Sequence, residues 1–225
     1  MCFIKTKLYF IELDESENFS DYGKFIKFLS PKKQEQILKF RFDIDKKLSL
    51  FSDLFVRYSA CNILNLSNAD LSFDKNDYGK PYLLGFPNFH YNISHTKNAI
   101  VIGISDKPIG VDVEKIKFAD LKIAERFFCD NELASILSNR EPNTAFYKIW
   151  TKKEAYIKWD GKGLSLPLTS FDVTDCKLNK MFSSFEIGEY ILSVCSETDF
   201  SESALEIYDK DSTVKFLSML MQYFI

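Results

Sequence analysis

Three carboxylates and a lysine carry the chemistry this sequence could perform. Asp112 and Glu114 stand two apart in Gly110-Val111-Asp112-Val113-Glu114. In a strand, side chains two apart share a face, so both carboxylates point one way and Val111 and Val113 the other. Two carboxylates on one face repel unless a cation lies between them, and Mg²⁺ is a natural partner because it takes hard oxygen ligands. The same alternation also describes a strand whose polar face is simply wet. A second segment, Trp150-Thr151-Lys152-Lys153-Glu154-Ala155-Tyr156-Ile157-Lys158, puts Trp150, Glu154 and Lys158 at successive i,i+4 positions of a helix. An exposed Glu–Lys pair at that spacing contributes only about 0.3–0.5 kcal/mol. The tryptophan on the same stripe suggests that this face meets a core or a cleft.

Further candidates lie upstream. Asn92-Ile93-Ser94-His95 closes a predicted strand, and His90 and His95 are the only histidines. A histidine just past a strand can hold a phosphate, shuttle a proton or serve a structural hydrogen bond. Lys32, Lys33, Lys39, Arg41, Lys46 and Lys47 form a basic series that fits a phosphate site or a solvated helix face. Lys148, Lys152, Lys153, Lys158 and Lys162 crowd a second region, a patch that would attract phosphates or an acidic partner. No P-loop, GxGxxG, GxSxG or HExxH motif is present.

The elements that must position these residues can be read from periodicity. A strand over about 3–12 precedes helical patterns near 17–29, 31–39 and 44–65. Tyr78-Gly79-Lys80-Pro81 is turn-rich. Three short strands follow at 89–94, 99–105 and 109–114. Helices return near 120–128, 130–138 and 142–159, with Asp130 expected as an N-cap, Pro142 at an early helical position and Gly161 as the stop. Residues 170–209 read as strands with turns at Asn179 and Gly188-Glu189. The tail is apolar at Val214, Leu217, Leu220, Met221 and Phe224, a helical spacing that suits packing on the protein's own core or docking. This order predicts an α+β protein of two similar lobes, 1–106 and 107–225.

Composition excludes several classes. The 225 residues carry a net charge of −3 and are 46% hydrophobic, so there is enough apolar material for a core and no bulk basic character for nucleic acid. The five cysteines are an odd, dispersed set with no CxxC, which points to a reduced, cytoplasmic protein rather than a disulfide or zinc framework. No run of apolar residues is long enough for a membrane span.

Taken together, these segments resemble the 4′-phosphopantetheinyl transferase superfamily, in its larger, monomeric group that activates nonribosomal peptide and polyketide synthases. GVDVE at 110–114 and WTKKEAYIK at 150–158 carry the resemblance, supported by YGKPYL at 78–83, FHYNISH at 89–95, RFF at 126–128, GKGLSLPL at 161–168 and the stretch 40–57. The resemblance implies a pseudo-twofold pair of α+β lobes with the active site in the cleft between them. It also implies transfer of phosphopantetheine from coenzyme A to a serine of an apo acyl or peptidyl carrier protein, with Mg²⁺ held by Asp112, Glu114 and Glu154. Lys158 matches the catalytic lysine, and Glu154 is a candidate for the base that takes the serine proton. Ser94 and His95 match positions that hold the nucleotide's phosphates, and Lys80 and Pro81 the stretch lining the adenine. Lys33 and Ser49 fall where a 3′-phosphate-binding lysine and a small hydroxyl are placed, while Gln36 replaces a frequent second basic residue. Residues 115–130, with Phe118, Phe127 and Phe128, match the carrier-docking edge, although two of these three phenylalanines also suit a core. A Mg²⁺ phosphohydrolase using the same acidic trio, or a non-catalytic carrier-binding relative, are the competing readings.

Overall fold

The computed structural model describes residues 6–198 and 202–224. The first half runs β1 (Lys7–Glu12), 3₁₀ turns at Phe19–Asp21 and Gly23–Phe28, α1 (Pro31–Leu38), α2 (Asp43–Leu64), β2 (Phe73–Lys75), β3 (Pro81–Leu83), β4 (His90–Thr96) and β5 (Ala99–Ser105). The second runs β6 (Ile109–Lys115), α3 (Leu121–Phe127), α4 (Asp130–Leu137), α5 (Pro142–Asp160), α6 (Cys176–Asn179), β7 (Phe182–Ile187) and β8 (Tyr190–Ser196). It ends with β9 (Leu205–Tyr208) and α7 (Lys210–Tyr223).

One connection is used twice. In each half a strand leads through helices to a hairpin, and the hairpin's second strand returns to pair antiparallel with the first strand. β1 pairs with β5 of the β4–β5 hairpin, and β6 pairs with β8 of the β7–β8 hairpin. The spatial orders β4-β5-β1 and β7-β8-β6 therefore match. The α+β, two-lobe architecture expected from the sequence is met.

Strand alternation explains how the lobes stack. On β5, Ile100, Ile102 and Ile104 face the core that α2 covers with Phe51, Leu54 and Phe55. Ala99 and Val101 face the other way and pack with Leu8 and Phe10 against Val111, Val113, Leu192 and Val194 of the second sheet. Both faces of β5 and β8 are buried, so these strands read as continuous apolar runs. A third core lies under α5, where Phe128, Phe146 and Ile149 meet Ile191. Two glycines allow the close approaches. A Cβ on Gly103 would lie 2.5 Å from the Ile109 side chain, and one on Gly110 2.0 Å from the Ala155 carbonyl oxygen. At Gly110, α5 rests directly on the backbone of β6.

Four readings need correction. The first strand begins at Lys7, and the part expected before residue 6 lies outside the described residues. Asp130 is the first residue of α4, not its N-cap. Cys129 takes that place because its N–H donates to the Glu132 carboxylate at 2.8 Å. The last strand and helix, expected with the second lobe, are held by the first: β9 pairs parallel with β1, and α7 buries Phe216, Leu217 and Leu220 beside Phe55. Lastly, the lysine cluster is not a patch. Lys153 is fully buried on Glu132, Lys152 donates to Asn179, and Lys148 and Lys162 pair with Glu186 and Asp160. Each of these four lysines has a protein acceptor.

Candidate active site

β4 and β6 belong to different sheets, yet side chains join them rung by rung. The Val111 N–H donates to Asn92 Oδ1 at 2.9 Å, Ser94 Oγ donates to Asp112 Oδ1 at 2.7 Å, and Thr96 Oγ1 donates to Glu114 Oε2 at 3.0 Å. The two-residue period of both strands sets this ladder. It turns Asp112 and Glu114 away from Val111 and Val113, as the sequence predicts. From above, α5 delivers Glu154 and Lys158 one turn apart, while Trp150 anchors the stripe by stacking on Phe146.

Lys158 Nζ donates to Asp112 Oδ1 at 2.6 Å and to Ser94 Oγ at 2.8 Å. Asp112 is 4% exposed, and its Oδ2 is buried with no hydrogen-bond partner. A buried carboxylate oxygen left unmatched costs free energy unless something positive meets it. Burial, and then the charge on Asp112, raise the pKa of both Glu114 and Glu154 above the ordinary carboxylate value; the Thr96 hydroxyl pulls Glu114 the other way. Glu114 and Glu154 therefore both feel the charge on Asp112. As the side chains stand, no group of three or more His, Cys, Asp or Glu among the described residues is arranged to hold a metal ion. Asp112 Oδ1 is instead taken up by the Lys158 ammonium.

A cavity of ≈ 640 Å³ opens between α1, α2, the β2–β3 hairpin and β4. Lys33, Gln36, Arg57, Lys75, Pro81 and Ile93 are among its lining residues. Asp53 tempers the positive charge, 3.6 Å from Lys33 and 2.7 Å from Arg57. His95 follows Ile93 on the same face of β4 and is exposed. Partial burial of its ring, and then the Lys158 charge, lower its pKa. His95 also feels the charges of Asp45 and Lys33. Ser49 is half-buried on α2, one turn from Asp45 and one from Asp53.

Lys80 is the predicted site residue whose surroundings differ most from those expected of a nucleotide contact. Its ammonium donates to the carbonyls of Ile109 at 3.1 Å, Lys158 at 2.6 Å and Trp159 at 3.1 Å. All three of its donors face protein carbonyls. Sequence reasoning missed Asn92 and Thr96, though the polar alternation Asn92-Ser94-Thr96 was there to signal them. It also missed Asp53 and Arg57, which look like ordinary i,i+4 partners on α2. Of the three phenylalanines at the expected docking edge, Phe118 is 88% exposed, Phe127 packs partly against the α5 core and Phe128 is inside it.

Comparison with known proteins agrees with the arrangement. Residues 108–206 match the model of the 4′-phosphopantetheinyl transferase superfamily, and residues 16–107 that of the 4′-phosphopantetheinyl transferase N-terminal region. The chain is 40% identical over 169 residues to the 4′-phosphopantetheinyl transferase ffp of Bacillus subtilis, covering 74% of this chain and 75% of that protein. It is 37% identical to the 4′-phosphopantetheinyl transferase Sfp of Bacillus subtilis (strain 168), with the same coverage. With the mouse L-aminoadipate-semialdehyde dehydrogenase-phosphopantetheinyl transferase it shares 28% identity, over 77% of this chain and 60% of that protein. The carboxylate ladder, the lysine set on it and the two-lobe frame that brings them together are thus those of a chain that belongs to the 4′-phosphopantetheinyl transferase superfamily.

Proposed function

We propose that this protein transfers the 4′-phosphopantetheine group of coenzyme A to a serine of an apo acyl or peptidyl carrier protein, such as those of nonribosomal peptide or polyketide synthases. The observation that carries the proposal is the meeting of Lys158 with Asp112 and Ser94 across the lobe seam, in a protein that also holds a cavity lined by Lys32, Lys33, Arg57 and Lys75. In the reaction, the carrier serine Oγ forms a bond to the β-phosphorus. The bond from that phosphorus to the bridging oxygen breaks, and 3′,5′-ADP leaves with that oxygen. The serine proton goes to Glu154, whose raised pKa suits a base. Lys158 neutralises charge on the phosphoryl group in transfer. Lys33 and Ser49 hold the 3′-phosphate, Ser94 and His95 the nucleotide's phosphates, and Pro81 flanks the adenine.

The residues fit a divalent cation: the orphaned Asp112 Oδ2, with Glu114 and Glu154 at hand, is a hard-oxygen donor set. Bound there, Mg²⁺ would supply charge neutralisation to the pyrophosphate oxygens. Thr96 would hold Glu114 in place for it. The protein works as a cytoplasmic monomer in this reading, and no helix among the described residues is long and apolar enough to cross a membrane.

Incubation with coenzyme A and apo fatty-acid, peptidyl and polyketide carriers, read by mass spectrometry, tests the proposal. A carrier that gains one phosphopantetheine, only when Mg²⁺ is present, is the expected result. Absence of any gain with every carrier, alongside hydrolysis of phosphate esters, would make the protein a phosphohydrolase instead. A rise in melting temperature on adding Mg²⁺, absent in Asp112→Asn, checks the metal site without reference to turnover.

A further inference from the structure

The last carbonyls of any helix have no partner inside it. At the end of α5, Gly161 in the left-handed region (φ 76) donates its N–H back to the Ile157 carbonyl at 3.0 Å. The next carbonyls are met from the other lobe. Lys80 donates to the Lys158 and Trp159 oxygens, and Asn76 Nδ2 donates to the Gly161 oxygen at 3.1 Å. Both residues sit on the turn between β2 and β3, which Asn76 itself closes by accepting the N–H groups of Tyr78 and Lys80. The third acceptor of Lys80 is the Ile109 carbonyl. Ile109 precedes Gly110, where α5 rests on the β6 backbone. One ammonium therefore joins a hairpin, a strand and a helix end, and its positive charge suits the C-terminal end of a helix dipole.

The same hairpin forms part of the wall of the cavity, through Lys75, Gly79 and Pro81. The backbone oxygen that Lys80 grips belongs to Lys158, whose side chain lies on Asp112. We propose that Lys80, with Asn76, is a positioning residue that locks the end of α5 to β6, so that a ligand pressing on the hairpin wall sets where Lys158 stands. Lys80 acts through Lys158 and touches no reacting atom. This inference rests on the phosphopantetheinyl-transfer reading for its kinetic test and on geometry alone for its physical one.

The experiment uses a Trp150→Phe background, which leaves Trp159 as the only tryptophan. Its indole nitrogen is buried without a partner, so quenching by acrylamide reports loosening of the helix end. In Lys80→Met, Trp159 becomes more quenchable, and coenzyme A, which reduces quenching in the parent, no longer does so. Turnover falls roughly tenfold to a hundredfold, the size expected of a small misplacement, while KM for coenzyme A changes less than about threefold. Lys80→Arg, which keeps donors for the carbonyls, recovers part of the loss. Unchanged quenching and turnover, or a loss carried wholly by KM, would overturn the proposal and leave Lys80 as a ligand contact. Should Lys80→Met not fold, Asn76→Asp carries the test: it keeps the turn's acceptor, loses the donor to Gly161, and shows the same pattern in smaller degree. Unchanged quenching and turnover there also overturn it. If the parent transfers nothing to any carrier, the functional reading fails, and the quenching comparison still decides the lock.

Discussion

At the residue scale, the division of labour around Asp112 predicts separable losses. Asp112→Ala removes the acceptor of Lys158 and Ser94 and one side of the cation site. Turnover should drop by roughly a hundredfold to a thousandfold, the usual size for loss of an electrostatic stabiliser, while circular dichroism stays native. Near-normal turnover would remove Asp112 from the site. Lys158→Ala should lower turnover and leave coenzyme A affinity close to the parent's; a change confined to affinity would contradict its role on the transferring group. Lys33 lines the cavity with Asp53 as its neighbour. Lys33→Ala should weaken coenzyme A by about tenfold or more, in keeping with a charge-assisted hydrogen bond, and should narrow the preference over the form lacking the 3′-phosphate. A preserved preference would place that phosphate elsewhere.

Elements make these residues a site, and two tests belong to them. Gly110→Ala drives a methyl group into the Ala155 oxygen and the Trp159 nitrogen, at 2.0 Å and 2.3 Å from the ideal Cβ. These are backbone atoms that cannot rotate aside, so α5 must lift from β6. We expect a stability loss of about 1–3 kcal/mol by denaturant titration and a larger proportional loss of turnover. Lys80 gives the pH test. Burial pushes its pKa down from 10.5 to about 8, with Cys195 and Asp160 pulling weakly upward. His90 on β4 feels the Lys80 charge as well. A depressed folded-state value means that the folded protein binds fewer protons than the unfolded chain between about 8 and 10.5. This ionisation therefore contributes stability above 10.5 that is lost as pH falls through about 8. Activity should move oppositely, because a neutral amine cannot serve three carbonyls: turnover declines above about pH 8 in the parent, and Lys80→Met lacks that limb. A decline of the same shape in both proteins would assign the limb to another group.

The same elements show what is legible in the sequence alone. The carboxylates, the helix stripe and β4 to β6 were legible because their signal is local: period two or four in type and spacing. The β2–β3 hairpin was seen only as a turn, since three-residue strands are too short to show alternation. The lock made by Lys80 was not legible at all. Its partners are carbonyls, which every residue has, and only the fold decides which ones it meets. The lysines around 148–162 misled for the same reason, because their acceptors lie on β7, α4 and α6.

At the scale of the whole molecule, the repeated connection explains why the site sits at a seam. Each lobe supplies one half of a structure that neither could form alone: β4 the hydroxyls, β6 and α5 the charges. The repeat was legible only in the order of the elements, because what it preserves is strand order and burial, not residue identity. It also has an asymmetry, for β1 has β9 as an added neighbour and β6 has no counterpart among the described residues. Removing residues 205–225 should expose the edge of β1 and the face of Phe55 that stacks on Phe216. Such a protein is expected to aggregate or to lose its cooperative transition; a soluble, cooperatively unfolding product would show that the tail is dispensable.

That asymmetry has a consequence in time. Leu8 pairs with Gly103 on one side and with Leu205 on the other, so β1 waits until the chain has been made as far as residue 205 before its second side is covered. The second lobe's sheet, closed by neighbours between residues 109 and 196, has no such wait. The first lobe, made before the second, is thus finished after it, with one strand edge open in the meantime, and chaperone dependence during translation should concentrate there.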